Sequence, residues 1–176
     1  MIANGVMSAT TDTAPEALLI RPAVRDDCGL ILELIRDLAE FEKLAHEVRA
    51  TTRLLEETLF RRQPAAEVVI AEWEGETAGF ALFFSNYSTF LARPGIYLED
   101  LFVRPAFRGR GIGNALLSHL ARQVVERNGG RLDWSVLHWN ERAINFYRAI
   151  GARPLAEWLP MRLDGDALGR VAGNRE

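Results

Sequence analysis

Gly109, Gly111 and Gly113 stand at alternate positions, with Arg104, Arg108 and Arg110 around them. A helix that begins in glycines presents free N–H groups and no Cβ atoms to block a ligand. Its dipole favours negative charge at that end, and arginines add to the attraction. This pattern suits the holding of phosphate groups, above all a pyrophosphate laid across the helix N-terminus. The plainer alternative is a cap whose glycines merely make a turn. The spacing excludes the commoner nucleotide motifs. No Gly-Lys-Ser/Thr ending follows, so this is not a Walker A loop. Gly109-x-Gly111-x-Gly113 is not G-x-G-x-x-G and lies far from the first strand, so the dinucleotide fingerprint does not fit.

The elements around the loop must position it. Residues 96–103 are rich in β-branched and aromatic side chains and read as a strand. Pro105 stops it, having no N–H and disfavouring helical geometry at Arg104. From Ile112 a helical pattern begins, with Leu116, Leu120 and Val124 on the same face. Gly129-Gly130 supplies its expected left-handed stop. Upstream, residues 17–23 read as a first strand, and Asp26 or Asp27 caps a helix with an apolar stripe from Leu30 to Phe41. Glu40, Glu42 and Glu47 near its end form either a solvated face or an acidic rim for a cationic substrate. A shorter helix is expected over residues 52–62. Residues 66–73 and 77–85 form a hairpin about Glu74-Gly75-Glu76, and residues 86–94 a loop. Downstream come a strand at 131–137 and a helix at 141–150, capped by Asn140 and with Ile144, Tyr147 and Ile150 on its apolar face. A last pair of strands is expected at 155–159 and 160–163, then a turn at 164–170. The order implies an α/β fold, a mixed central sheet flanked by helices on both faces. The phosphate site then lies at the C-terminal end of the strand over residues 96–103. The domain reading is a flexible leader at 1–16, a single domain at 17–170 and a tail at 171–176.

The chain has 176 residues, 48% apolar and 26% charged, with a net charge of -3. That balance suits one soluble globular domain and argues mildly against nucleic acid. A third reading, RNA binding through Arg108-Gly-Arg-Gly111, has weak support in an acidic chain. The single cysteine, Cys28, excludes an intrachain disulfide framework and a cysteine-rich zinc site, and no metal is expected. It reads as a buried thiol. No run approaches a membrane span, and residues 1–16 do not read as a secretory signal, so a cytoplasmic location is expected.

Arg108-Gly-Arg-Gly111-Ile-Gly113 matches the Arg/Gln-x-x-Gly-x-Gly/Ala signature of the GNAT superfamily of N-acetyltransferases. Further blocks are Ile20-Arg-Pro-Ala23 with Asp27-Cys28, Leu38-Ala-Glu-Phe-Glu42, Tyr97-Leu-Glu-Asp100, and Trp139-Asn-Glu141 with Ile144-Asn-Phe-Tyr147. Together they resemble the diamine (spermidine/spermine) N-acetyltransferase family, from about residue 19 to residue 168. The resemblance implies the acyl-CoA N-acyltransferase fold and direct transfer of acetyl from acetyl-CoA to an amine. It implies Tyr147 as the general acid for the departing thiolate; a phenol of pKa about 10 suits that proton transfer. Without it, Tyr147 is equally a core tyrosine. It also implies Glu99 as the carboxylate that binds the ammonium and accepts its proton, an amine of pKa about 10.4 arriving charged. Strict alternation places Asp100 on the opposite face from Glu99.

The implied coenzyme contacts are Leu101, Phe102 and Val103 through their backbone, then Arg108, Gly109, Arg110, Gly111, Ile112, Gly113 and Asn114. Asn140, Glu141, Arg142 and Tyr147 complete them. Backbone N–H groups near Phe102 are expected to polarise the thioester carbonyl. Phe41, Glu42, Glu99 and Trp134 are the expected substrate contacts. The departures fall on the substrate side, where Phe41, His138 and Arg142 replace a tyrosine, a glutamate and a proline of the family pattern. The expected substrate is therefore a small primary amine: a diamine, a polyamine or an amino-acid-like amine, since related members act on thialysine. The alternatives are an acyl-CoA sensor without turnover, or transfer to a protein or peptide amine. A homodimer is expected from the family, with the C-terminal strands as its contact.

Overall fold

A computed structural model describes residues 17–173; the expected leader at 1–16 lies outside the described residues. The described residues divide into two compact units, one ending at Ser135 and one beginning at Val136.

The first unit is built on five strands in spatial order: β1 (Leu18–Pro22), β2 (Glu67–Trp73), β3 (Glu76–Ser88), β4 (Arg93–Val103) and β5 (Leu132–Trp134). All neighbours are antiparallel except β4 and β5, so the sheet is mixed. β2 and β3 join through Glu74 and Gly75, both at positive φ (52° and 83°). That is the turn whose twist matches the strands it connects. The loop expected at 86–94 is mostly strand. β3 runs on to Ser88, and Asn86, Tyr87 and Ser88 pair with Gly95, Pro94 and Arg93. Cross-strand pairing overrides local turn chemistry here, and the Asn86 amide donates to Asp133 Oδ2 at 2.9 Å.

Helices cover both faces. α1 (Cys28–Phe41) and α2 (Thr52–Leu59) bury Ile31, Leu34, Leu38, Leu55 and Leu59 against Val68, Phe80 and Phe102. α3 (Ile112–Glu126) lies on the other face. Its Gly113 approaches the side chains of Leu101 and Val103, which alternate with Phe102 along β4. Ile112, Leu116 and Leu120 are at most 1% exposed. Each fully buried aliphatic side chain contributes roughly 1.5–3 kcal/mol.

Two boundaries and one cap differ from expectation. Asp27 stands at the N-cap of α1, yet its carboxylate accepts from Val24 N–H and Arg21 rather than from α1 amides. α2 stops at Leu59, where the Thr58 hydroxyl donates to the Leu54 carbonyl and Arg25 binds the Phe60 carbonyl at 2.7 Å. The left-handed stop of α3 is Asn128 (φ 54°), not a glycine. Asn128 N–H donates to the Val125 carbonyl and Gly129 N–H to that of Val124, a Schellman ending. Gly129 is needed for closeness instead, since a Cβ there would meet the Val124 and Pro94 carbonyls at 2.9 and 3.1 Å.

The second unit holds α4 (Glu141–Ala149) and α5 (Gly165–Val171). Asn140 Oδ1 accepts from Ala143 N–H at 3.2 Å, and Gly151 follows α4 at φ 91°. The strands expected at 155–159 and 160–163 are not formed. Apolar patterning makes a strand only where a partner takes its hydrogen bonds, and Pro160 has no N–H to give. Trp158, Leu159 and Met161 there are 71%, 81% and 85% exposed. The strand expected at 131–137 shrinks to Leu132–Trp134, the reach of its pairing with β4.

Candidate active site

At the start of α3, Gly109 and Gly111 both stand at φ 80°, Gly111 as the N-cap. That region strains any residue with a Cβ. A Cβ built on either glycine would meet nothing within 4 Å, so the chain faces open space there. Among the described residues, no backbone carbonyl accepts from the N–H groups of Gly109, Arg110, Gly111, Ile112, Gly113 or Asn114. Donors, dipole and room for an anion thus coincide, as a pyrophosphate requires.

β4 leads into this loop and is irregular where its carboxylates lie. Asp100 pairs with Leu82 and Leu98 with Phe83, so Glu99 is an extra residue, a β-bulge. On its other edge β4 pairs with β5 only at Ile96, Tyr97 and Leu98. From Glu99 to Val103 that edge has no strand partner among the described residues, leaving main-chain groups for an extended ligand.

The bulge also breaks the alternation expected for the two acids. Asp100 is pushed up to about 6, first by burial and then by the charges of Glu99 and Glu42. Three carboxylates therefore share one electrostatic environment, where strict alternation separated Glu99 from Asp100. Glu42, the C-cap of α1, is itself raised by burial. Glu99 is exposed. The group can attract an ammonium and accept its proton.

The arginines divide their work differently from expectation. Arg104 faces away from the loop: it pairs with Glu33 and, at 3.1 Å, with Asp37, both on α1. Arg108 donates Nε–H to the Val103 carbonyl at 2.9 Å, and its guanidinium lies 4.7 Å from the Phe41 ring and 5.6 Å from the Phe102 ring. Arg110 stands over Trp73 and Phe107 at 5.2 and 5.9 Å. Trp134 ends β5 opposite Leu98.

In the second unit, Tyr147 and Phe146 have ring centroids 5.4 Å apart on α4, and burial pushes the Tyr147 phenol above its usual 10.0. It holds its proton through the physiological range. Glu141 and Arg142 open α4 and are exposed, while the Asn140 side chain caps it.

Phosphate-ready helix terminus, bulged carboxylate strand and mixed sheet define a class, and the chain belongs to it: the Acetyltransferase (GNAT) family, whose model matches residues 31–152. It is an acetyltransferase enzyme. Thialysine N-epsilon-acetyltransferase of Mus musculus is 37% identical over 165 residues, 88% of this chain and 96% of that protein. L-ornithine N5-acetyltransferase of Arabidopsis thaliana is 34% identical, covering 86% of each. Among solved structures, an integron cassette protein from the mobile metagenome of V. cholerae superposes at TM-score 0.74 with 26% identity, over 89% of this chain and 98% of that one.

Sequence reasoning missed the coupling of Asp100 with Glu99 and Glu42. Its signal was there: Tyr97-Leu-Glu-Asp100 sets two acids side by side in a strand. A bulge, though, is a property of pairing, invisible in one strand read alone.

Proposed function

We propose that this enzyme moves acetyl from acetyl-CoA directly to the side-chain amine of a small amino acid, a substrate of the thialysine or ornithine kind. The observation that carries the reading is the pair of left-handed glycines facing open space at the head of α3, where the six main-chain donors of residues 109–114 meet no backbone carbonyl among the described residues. The names of the relatives favour a small amine, and Phe41 and His138 favour a short substrate over a long polycation.

Bound acetyl-CoA supplies the acyl group as a thioester. The N–H groups of residues 109–114 bind its pyrophosphate, and the free edge of β4 near Leu101, Phe102 and Val103 aligns its amide-bearing arm. Glu99, with Glu42 and Asp100 near, binds the substrate ammonium and removes the proton that blocks its lone pair. Phe41 and Trp134 border the amine. Tyr147 gives its proton to the departing sulfur. Asn140, Glu141 and Arg142 add coenzyme contacts, and residues 17–170 act as one catalytic domain. The enzyme works as a cytoplasmic homodimer, and the exposed apolar segment at 155–163 is the surface a second copy would cover.

The test is product mass after incubation with acetyl-CoA and a panel of amines. A mass gain on ornithine- or thialysine-like amines, above that on spermidine, supports the reading. Preference for spermidine would overturn the amino-acid assignment. Coenzyme binding without turnover on any amine would leave an acyl-CoA sensor.

A further inference from the structure

We propose that Trp73, at the β2–β3 turn, positions Arg110 to receive the 3′-phosphate of coenzyme A. The inference rests on the acetyl-CoA reading above. Coenzyme A carries three phosphates, and the main-chain donors at the head of α3 answer the two of the pyrophosphate. The third is a dianion on the ribose and calls for a cationic side chain.

Three arginines lie in this part of the sequence, and the structure separates them. Arg104 is engaged by Glu33 and Asp37. Arg108 is bound to the end of β4 and packs on Phe41 and Phe102. Arg110 is exposed, stands next to the two left-handed glycines, and forms no ion pair among the described residues. The carboxylates nearest in sequence to Trp73 do not hold it: Glu72 pairs with Arg21, and neither Glu74 nor Glu76 pairs with Arg110.

What holds Arg110 is aromatic. Its guanidinium carbon is 5.2 Å from the Trp73 ring centroid and 5.9 Å from that of Phe107, within cation–π range of both. A long exposed arginine loses much rotamer freedom on binding, and a seat made in advance reduces that loss. The indole is not kept there for its own hydrogen bond. Trp73 Nε1 is buried and meets no acceptor among the described residues, a feature that costs stability. The face of the ring, turned to Arg110, is what the position uses.

Calorimetric titration with coenzyme A and with 3′-dephospho-coenzyme A tests this without needing turnover. Wild type should bind the full coenzyme about tenfold more tightly. Trp73→Leu and Arg110→Ala should each weaken coenzyme A binding by about threefold to tenfold. The double variant should be no weaker than Arg110→Ala alone. All four proteins should bind the dephospho form alike. Trp73→Phe removes the orphan donor, so it should melt no lower than wild type while falling between wild type and Trp73→Leu in affinity. Equal losses for both ligands, or additive losses in the double variant, would make Trp73 merely structural and overturn the proposal. Equal wild-type affinity for the two ligands would overturn it too and leave the acetyl-CoA reading standing. Failure of wild type to bind either ligand would defeat both.

Discussion

On the proposed mechanism Tyr147 must keep its proton until a sulfur departs. Burial raises its phenol, which favours the protonated form across the working range. Tyr147→Phe should therefore cut kcat by at least about tenfold, a modest part of what acid catalysis contributes. Coenzyme affinity by titration should be kept. An unchanged kcat would remove the acid role. Asp100 makes a separate prediction. Its folded-state value of about 6 exceeds the ordinary 3.8, so between those pH values the native chain binds more protons than the unfolded one. Stability from this group is then intact below about pH 3.8, declines as pH rises towards 6, and stays lowered above. Asp100→Asn should raise the urea-derived stability at pH 8 by on the order of 2–3 kcal/mol and hardly alter it at pH 4. An equal gain at both pH values would mean that ionisation of Asp100 is not the cause.

At the scale of elements, α3 carries the prediction. Gly111→Asp places a strained Cβ and a negative charge where the phosphates are to bind. The Km for acetyl-CoA should rise by about tenfold or more, from lost dipole and hydrogen-bond attraction together. A normal Km would move the phosphate site elsewhere. This helix, its glycine head and the strand before it were legible in the sequence, because periodicity and glycine spacing are local signals. What was not legible depended on partners. Asn128 rather than a glycine took the left-handed position, while Gly129 serves closeness to Val124 and Pro94. β3 ran through an apparent loop because β4 paired with it. Residues 155–163 had the composition of strands and no ladder to join. In the site, the glycine-headed start of α3 could be read from its spacing. The bulge at Glu99 and the engagement of Arg104 by α1 could not, since both are made by residues distant in sequence.

At the scale of the whole molecule, the exposed apolar side chains of residues 155–163 bear on the proposed homodimer. Several large apolar side chains exposed along one short segment suit an interaction site. Sedimentation velocity at micromolar concentration should show a species of twice the 19.7 kDa chain mass. Trp158→Glu combined with Leu159→Glu should return it to the monomer, since charge at the centre of an apolar interface opposes association. A monomer in the unaltered protein would refute the assignment.

Cys28, the first residue of α1, is the one cysteine of the chain and is 1% exposed, with its thiol raised by burial. The folded enzyme therefore offers solution chemistry almost no sulfhydryl of its own. A thiol-reactive dye added during turnover would register the released coenzyme alone, one count per transfer. The same dye would begin to label the polypeptide only when the native structure opens.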